Sequence, residues 1–274
     1  VTRYDVNLSI LFTELPLLQR PAAAAAAGFD AVEFWWPWPD EPVPSDSTVD
    51  RFVAAIGDAG VRLVGLNFAA GALPGPDRGL LSDPLRHSQF RDNVDIAVDI
   101  ADRTGCGALN ALYGNRIDGA DPGQQDELAT ANLALAGRAA DRIGAVVLVE
   151  ALNRAESPHY PLLSLADAAA VLDRVRAESG VDNLRLLCDL YHLARGGETD
   201  LVGQIARYAP RIGHVQIADC PGRHQPGTGT LDVPALEGAL ADAGYTGWIG
   251  LEYSPEGPSA DSFGWLTGTS GRAR

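Results

Sequence analysis

The chain has no lysine, and all 21 of its basic residues are arginine. Chemistry that runs through a lysine Schiff base is therefore excluded, and with it one large class of aldolases. Cysteine is scarce. Cys106, Cys188 and Cys220 are an odd set without CxxC spacing, which argues against a disulfide framework or a cysteine zinc site and fits a reducing, cytoplasmic setting. Positive charge is also short, with 36 acidic residues against 21 basic ones and a formal net charge of −15. That balance repels phosphate backbones and anionic lipid surfaces, so neither nucleic acid nor a membrane is an expected partner. No apolar run approaches the roughly 20 residues of a transmembrane helix. Asp5 and Asn7 interrupt the apolar start of the chain, so no signal peptide is expected. No GxGxxG follows the first strand, and the short GTG at Gly227 to Gly229 reads by itself as a mobile turn.

What the sequence has is an apolar content of 46% over 274 residues, enough to bury a full core, and a repeating alternation of strand-like and helix-like segments. Apolar strand patterns fall at Val6–Phe12, Asp30–Trp36, Val61–Asn67, Gly107–Tyr113, Ala145–Glu150, Leu184–Asp189, Arg211–Ile217 and Trp248–Tyr253. Helical patterns separate them, at Glu14–Ala27, Ser47–Ala59, Pro84–Thr104, Gln124–Ile143, Leu163–Glu178, Thr199–Tyr208 and Val233–Ala243. In the third of these, Phe90, Val94, Ile96, Ala97, Ile100 and Ala101 share a stripe. A short closing helix and tail are expected after Pro258. Eight repeats without a linker predict one domain over residues 1–274, a parallel (β/α)8 barrel of the TIM type rather than an open doubly wound sheet. The Gly- and Pro-rich stretch from Phe68 to Asp83 is long for such a fold and reads as a lid or binding segment.

Four strand patterns end in an oxygen-bearing side chain: Glu150 in AVVLVE, Asp189 in LRLLCD, Gln216 in HVQ and Glu252 in WIGLE. A charge at the tip of a buried strand needs a partner. Each alone reads equally well as a capping or salt-bridged residue. Together, at the strand ends where barrel sites form, they predict a hard divalent cation, Mg²⁺ or Mn²⁺. Glu156, His192 and Arg223 stand close in sequence to these ligands and suit an anionic or hydroxylated substrate, arginine by its two-pronged donor geometry. His192 is expected at the rim. His214, two residues before Gln216, points the same way one layer down and reads as a buried support rather than a ligand. Trp35, Trp36 and Trp38 read first as packing at a strand end, with closing a pocket or facing a neighbouring subunit as the alternative.

VEFWWPW around Glu33, RDNVDIAVDIADRTGCGALNALYG, VLVEALNR, LLCDLYH, GHVQIADCPGRHQPGTG and GLEYSP together resemble the hydroxypyruvate isomerase family of the xylose isomerase-like barrel superfamily. The likeness covers nearly the whole chain. Its most specific part is GHVQIA followed by PGRHQPGTG, because related ketose 3-epimerases usually carry histidine where Gln216 stands. The resemblance implies that Glu150, Asp189, Gln216 and Glu252 bind metal, that Glu150 and Glu252 are also the acid/base pair, and that Glu156, His192 and Arg223 contact substrate. The substrate it implies is a small hydroxy-oxo acid, with hydroxypyruvate and tartronate semialdehyde interconverted through an enediol, and it implies a homo-oligomer. A 2-oxo-tetronate isomerase, or a ketose 3-epimerase or sugar isomerase of the same superfamily, is the alternative. A DNA-repair endonuclease on this barrel would need a multi-histidine zinc cluster, whereas this chain has five scattered histidines. A non-catalytic barrel would be free to lose a ligand, and none is lost.

Overall fold

The computed structural model describes residues 2–268. Eight short strands run parallel and close on themselves in sequence order. They are β1 (Tyr4–Asn7), β2 (Ala31–Phe34), β3 (Arg62–Asn67), β4 (Ala108–Asn110), β5 (Val146–Glu150), β6 (Leu184–Asp189), β7 (Ile212–Ile217) and β8 (Ile249–Leu251). Closure is made by β1 against β8, where Asp5 pairs with Gly250. Strands buried on both faces need no polar alternation, which is why the runs read as nearly continuous apolar segments.

The outer layer is α1 (Arg20–Ala26), α2 (Asp46–Ala59), α3 (His87–Thr104), α4 (Pro122–Asp141), α5 (Leu165–Ser179), a short α6 (Leu190–Arg195), α7 (Leu201–Tyr208) and α8 (Val233–Asp242). Local signals set their ends. Ser45 caps α2 by accepting from the Thr48 N–H, and Gly60 ends it in the left-handed region at φ 69°. On α3, Phe90, Val94, Ala97, Ile100 and Ala101 are buried as the stripe predicts, while Ile96 is only partly buried.

Several boundaries differ from the sequence reading by a few residues, and three differences have a local cause. The first strand stops at Asn7, because the Asn7 side chain accepts from the Ser9 N–H at 3.0 Å and turns the chain. The first helix starts at Arg20 after a 3₁₀ turn at Leu17–Gln19, Pro21 fitting its first turn. After β6 comes a helix the sequence reading lacks, α6, which Asp189 itself caps. The expected closing segment is a 3₁₀ turn at Ser259–Phe263 followed by a helical turn from Trp265; the tail beyond residue 268 lies outside the described residues.

Two strand pairings slip by one residue. Val32 pairs with Leu63 but Glu33 pairs with Gly65, and Leu186 pairs with Ile212 but Leu187 with His214. Such irregularities re-aim side chains, and both flank the barrel's polar end.

Candidate active site

The carboxyl ends of the strands carry a nearly complete ring of polar side chains. Asn7, Glu33, Asn67, Asn110, Glu150, Asp189, Gln216 and Glu252 are all buried. Burial raises Glu150 well above the ordinary carboxylate range, and the neighbouring Glu252 and Asp189 add to the rise. Asp189 is raised by burial too, although Arg223 opposes it. Glu252 rises to about 7, again by burial first, with Arg223 pulling down and Asp189 and Glu33 pushing up.

Glu252 is the most heavily bonded of these groups. Arg223 holds its Oε2 at 2.5 Å, and its Oε1 accepts from Trp35 Nε1 at 2.6 Å, Asn7 Nδ2 at 3.0 Å and Gln216 Nε2 at 3.2 Å. Glu150 accepts from Asn110 Nδ2 at 2.9 Å. Glu150, Asp189 and His192 each bring a ligand-type atom within 4.8 Å of the other two, a group that does not include Glu252.

His192 lies at the mouth but is buried, on the first turn of α6, and not in an exposed loop. Its Nδ1 accepts from the Asn153 N–H at 3.1 Å. Burial and then Arg223 hold its pKa well below the ordinary value. The ring is therefore neutral with its hydrogen on Nε2, which faces Asp189 Oδ2 at 3.7 Å.

Arg223 reaches the site from the loop after β7. Its backbone takes the left-handed conformation at φ 57°, a local strain that the surrounding loop over-determines. The Asp219 carboxylate accepts from the N–H groups of Cys220, Gly227 and Leu231, and the Arg223 carbonyl accepts from the Ser254 N–H at 2.8 Å. The guanidinium lies over the Tyr191 ring, 5.2 Å from its centroid, and touches Glu156 at 3.4 Å. Glu156 also accepts from the Tyr191 hydroxyl.

Glu150, Glu156, His192, Arg223 and Glu252 line one cavity of about 130 Å³, together with Trp35 and Arg78. Asp189 and Gln216 adjoin it through His192 and Glu252. The expected metal, acid/base and substrate-contact residues thus line this cavity or adjoin it.

Sequence reasoning missed others. Arg78 comes from the long loop after β3 and is anchored by Ser157 Oγ at 2.8 Å and the Glu156 carbonyl at 3.1 Å; it is the one cationic side chain between Phe68 and Asp83, which was the available signal. Asn7, Asn67 and Asn110 end their strands as the acidic residues do. Trp35 is a correction, since its indole bonds Glu252 instead of packing in the core. Trp36 and Trp38 do pack, against each other and, through Trp38, on Phe52.

The donor set is compatible with a divalent metal. Gln216 Oε1 and Asn110 Oδ1 are buried with no hydrogen-bond partner, and three buried carboxylates crowd one another, so each would gain from a cation. His214 is the buried support expected. It donates from Nε2 to Glu33 Oε2 at 2.7 Å. Burial opposes its charge, but Glu33, Asp5 and Glu252 lift its pKa to about 9.

The family model for xylose isomerase-like TIM barrels matches residues 21–269. A Streptomyces coelicolor protein named "putative hydroxypyruvate isomerase" is 62% identical over 274 residues, 99% of this chain and 98% of its own. A Cupriavidus necator 2-oxo-tetronate isomerase is 34% identical over 98% of this chain and 99% of its own. Among solved structures, one titled AP endonuclease, family 2 from Brucella melitensis superposes with a TM-score of 0.87 at 33% identity, covering 98% of this chain and 99% of that one.

Proposed function

The chain belongs to the hydroxypyruvate isomerase family of xylose isomerase-like TIM barrels, and from that premise we propose that it interconverts hydroxypyruvate and tartronate semialdehyde. The observation that carries the substrate class is the cavity. At about 130 Å³ it is well below the ~300–1,000 Å³ of sites for drug-sized ligands, and Arg78 and Arg223 line it together with Glu150, Glu156 and Glu252. A short acid with its own carboxylate suits such a space better than a neutral sugar, the arginines pairing with that carboxylate. The name of the Brucella protein points to DNA. Here a net charge of −15 and a small cavity favour a small molecule.

Glu150, Asp189, Gln216 and Glu252 would hold the cation, Mg²⁺ or Mn²⁺ by their all-oxygen donor set. When bound, it polarises the substrate's oxygens and stabilises the negative charge of an enediol.

The protein's own groups move the protons. Glu252, with a pKa near 7, is matched to accept a proton from C3 at neutral pH. Glu150, which lines the same cavity, is the partner that delivers a proton to C2. In the same turnover the C3 hydroxyl proton passes to the C2 oxygen, leaving an aldehyde at C3 and a hydroxyl at C2; the electrons move within the substrate, so no redox partner is needed. His192 offers a neutral Nε2–H donor to a substrate oxygen, and Arg223 and Trp35 fix the Glu252 carboxylate in place.

The test is proton NMR in D₂O with Mn²⁺- or Mg²⁺-loaded protein and hydroxypyruvate. The expected result is tartronate semialdehyde carrying deuterium at C2, slowed at least ~10²-fold in Glu252→Gln. Turnover of a four-carbon 2-oxo acid without turnover of hydroxypyruvate would favour the second reading, for which the Cupriavidus relative speaks. No exchange on either would overturn the isomerase reading.

A further inference from the structure

Beneath the cation ligands lies a second polar layer that the mechanism does not use: Asp5, Glu33 and His214, all buried, with ligand-type atoms within 4.8 Å of one another. Glu33 is its hub. Its Oε1 accepts from Gln216 Nε2 at 2.7 Å and from Asn7 Nδ2 at 2.9 Å, and its Oε2 accepts from His214 Nε2 at 2.7 Å. The Asn7 orientation is fixed independently, because Asn7 Oδ1 accepts from the Ser9 N–H at 3.0 Å. The NH₂ end of Asn7 must therefore face Glu33.

The backbone makes room for this carboxylate. The register slip after Val32 sets Gly65 beside Glu33, and a Cβ there would sit 3.1 Å from Oε2. A Cβ at Gly250 would sit 2.7 Å from Oε1. Two flanking strands thus give up their side chains where Glu33 needs space.

We propose that Glu33 is a positioning residue for the cation: it accepts the NH₂ end of Gln216, so that Gln216 Oε1 is the atom turned to the metal. The proposal rests on the reading of Gln216 as a ligand. Its physical content is that a glutamine amide presents either end equally well until a neighbour decides. Glu33 can only accept, and it holds the Gln216 NH₂ at 2.7 Å, closer than Glu252 Oε1 at 3.2 Å, so it decides. The partnerless, buried Gln216 Oε1 is the result. In Glu33→Gln, His214 still requires an acceptor, so the new amide's oxygen turns to it and its NH₂ meets the donors of Asn7 and Gln216. Gln216 then reverses to accept, and its NH₂ end faces the cation. Such outer support is commonly worth about 10–100-fold in metal affinity.

The experiment is Mn²⁺ binding to metal-free protein, read by the EPR signal of free Mn²⁺, for the wild type, Glu33→Gln, Gln216→Ala, the double variant and Gly250→Ala. Glu33→Gln and Gln216→Ala are each expected to weaken binding about 10–100-fold. The double variant is expected to match Gln216→Ala within about twofold, because Glu33 has no amide left to orient. Gly250→Ala pushes the Glu33 carboxylate away without altering its charge and is expected to weaken binding as well. Additive losses, or wild-type binding in Glu33→Gln while Gln216→Ala is impaired, would overturn the proposal. Wild-type binding in Gln216→Ala would instead remove the ligand reading beneath it. Near-ultraviolet circular dichroism of the metal-free proteins establishes folding. Should Glu33→Gln fail that check, wild-type binding in folded Gly250→Ala overturns the proposal alone.

Discussion

Crowding three carboxylates into a barrel mouth has a cost that pH controls, and Glu252 allows it to be worked out. Its pKa is about 7 in the folded protein against an ordinary 4.5. Folding therefore binds a proton that the unfolded chain releases across that interval. The stabilisation is fully present below about pH 4.5 and is lost as pH rises through about 7. A gap from 4.5 to about 7 amounts to about 3 kcal/mol, on the order of 6 °C in melting temperature for a chain of this size. Glu252→Gln removes the titration. Arg223, left without its carboxylate, adds an offset that is constant over this range because a guanidinium does not titrate. Glu150 loses a neighbour that raises it, so its own contribution flattens in the same sense. In EDTA, the melting temperature of Glu252→Gln relative to wild type should climb by on the order of 6 °C between pH 4.5 and pH 8. Parallel melting curves across that range would show that Glu252 keeps an ordinary pKa, and the reasoning about burial at this site would be wrong.

The same protonation predicts that Mn²⁺ affinity increases from pH 5 to pH 8, because the ion must displace protons from raised carboxylates. Calorimetry in buffers of different ionisation enthalpy would register the released protons, and an affinity flat across that range would contradict it. Arg223→Lys keeps the charge but loses the fork that spans Glu252 and Glu156. Losing one charged hydrogen bond, about 1.5–3 kcal/mol, predicts a fall in kcat/KM of about 10–100-fold. Steady-state kinetics with hydroxypyruvate would check it, and an unchanged kcat/KM would show that the guanidinium fork is dispensable.

The barrel was legible because fully buried parallel strands produce apolar runs whose number and spacing survive in one sequence. Its boundaries were less so. Val6–Phe12 is apolar enough to continue as a strand, yet one Asn7 side chain bonding to Ser9 ends it, a local competition that hydrophobic pattern does not record. The site was legible where chemistry was unusual for its place, as with Glu150, Asp189 and Glu252 at the tips of apolar runs. Asn7 and Asn110 occupy equivalent places, but an asparagine after a strand is ordinary turn composition. Arg78 was hard to place for a different reason. It arrives on a loop whose path depends on contacts with Ser157 and Glu156, nearly eighty residues away.

The lower layer follows from strand geometry once the upper one is known. Side chains two apart on a strand share a face. His214 must therefore sit under Gln216 on β7, and Gly250 under Glu252 at the end of β8. An ionisable residue two places before a ligand is a candidate to orient it, and a glycine there marks where another strand's side chain crosses. Glu33 fills that crossing from β2, reached by His214 from one side and Gln216 from another. Gln216 needs this support more than its carboxylate neighbours do. A carboxylate offers an oxygen in either orientation, whereas an amide offers one oxygen and one NH₂. On the proposed ligand set, the one amide among the carboxylates needs a neighbour that can only accept, and Glu33, buried and ringed by three donors, is placed to be that neighbour.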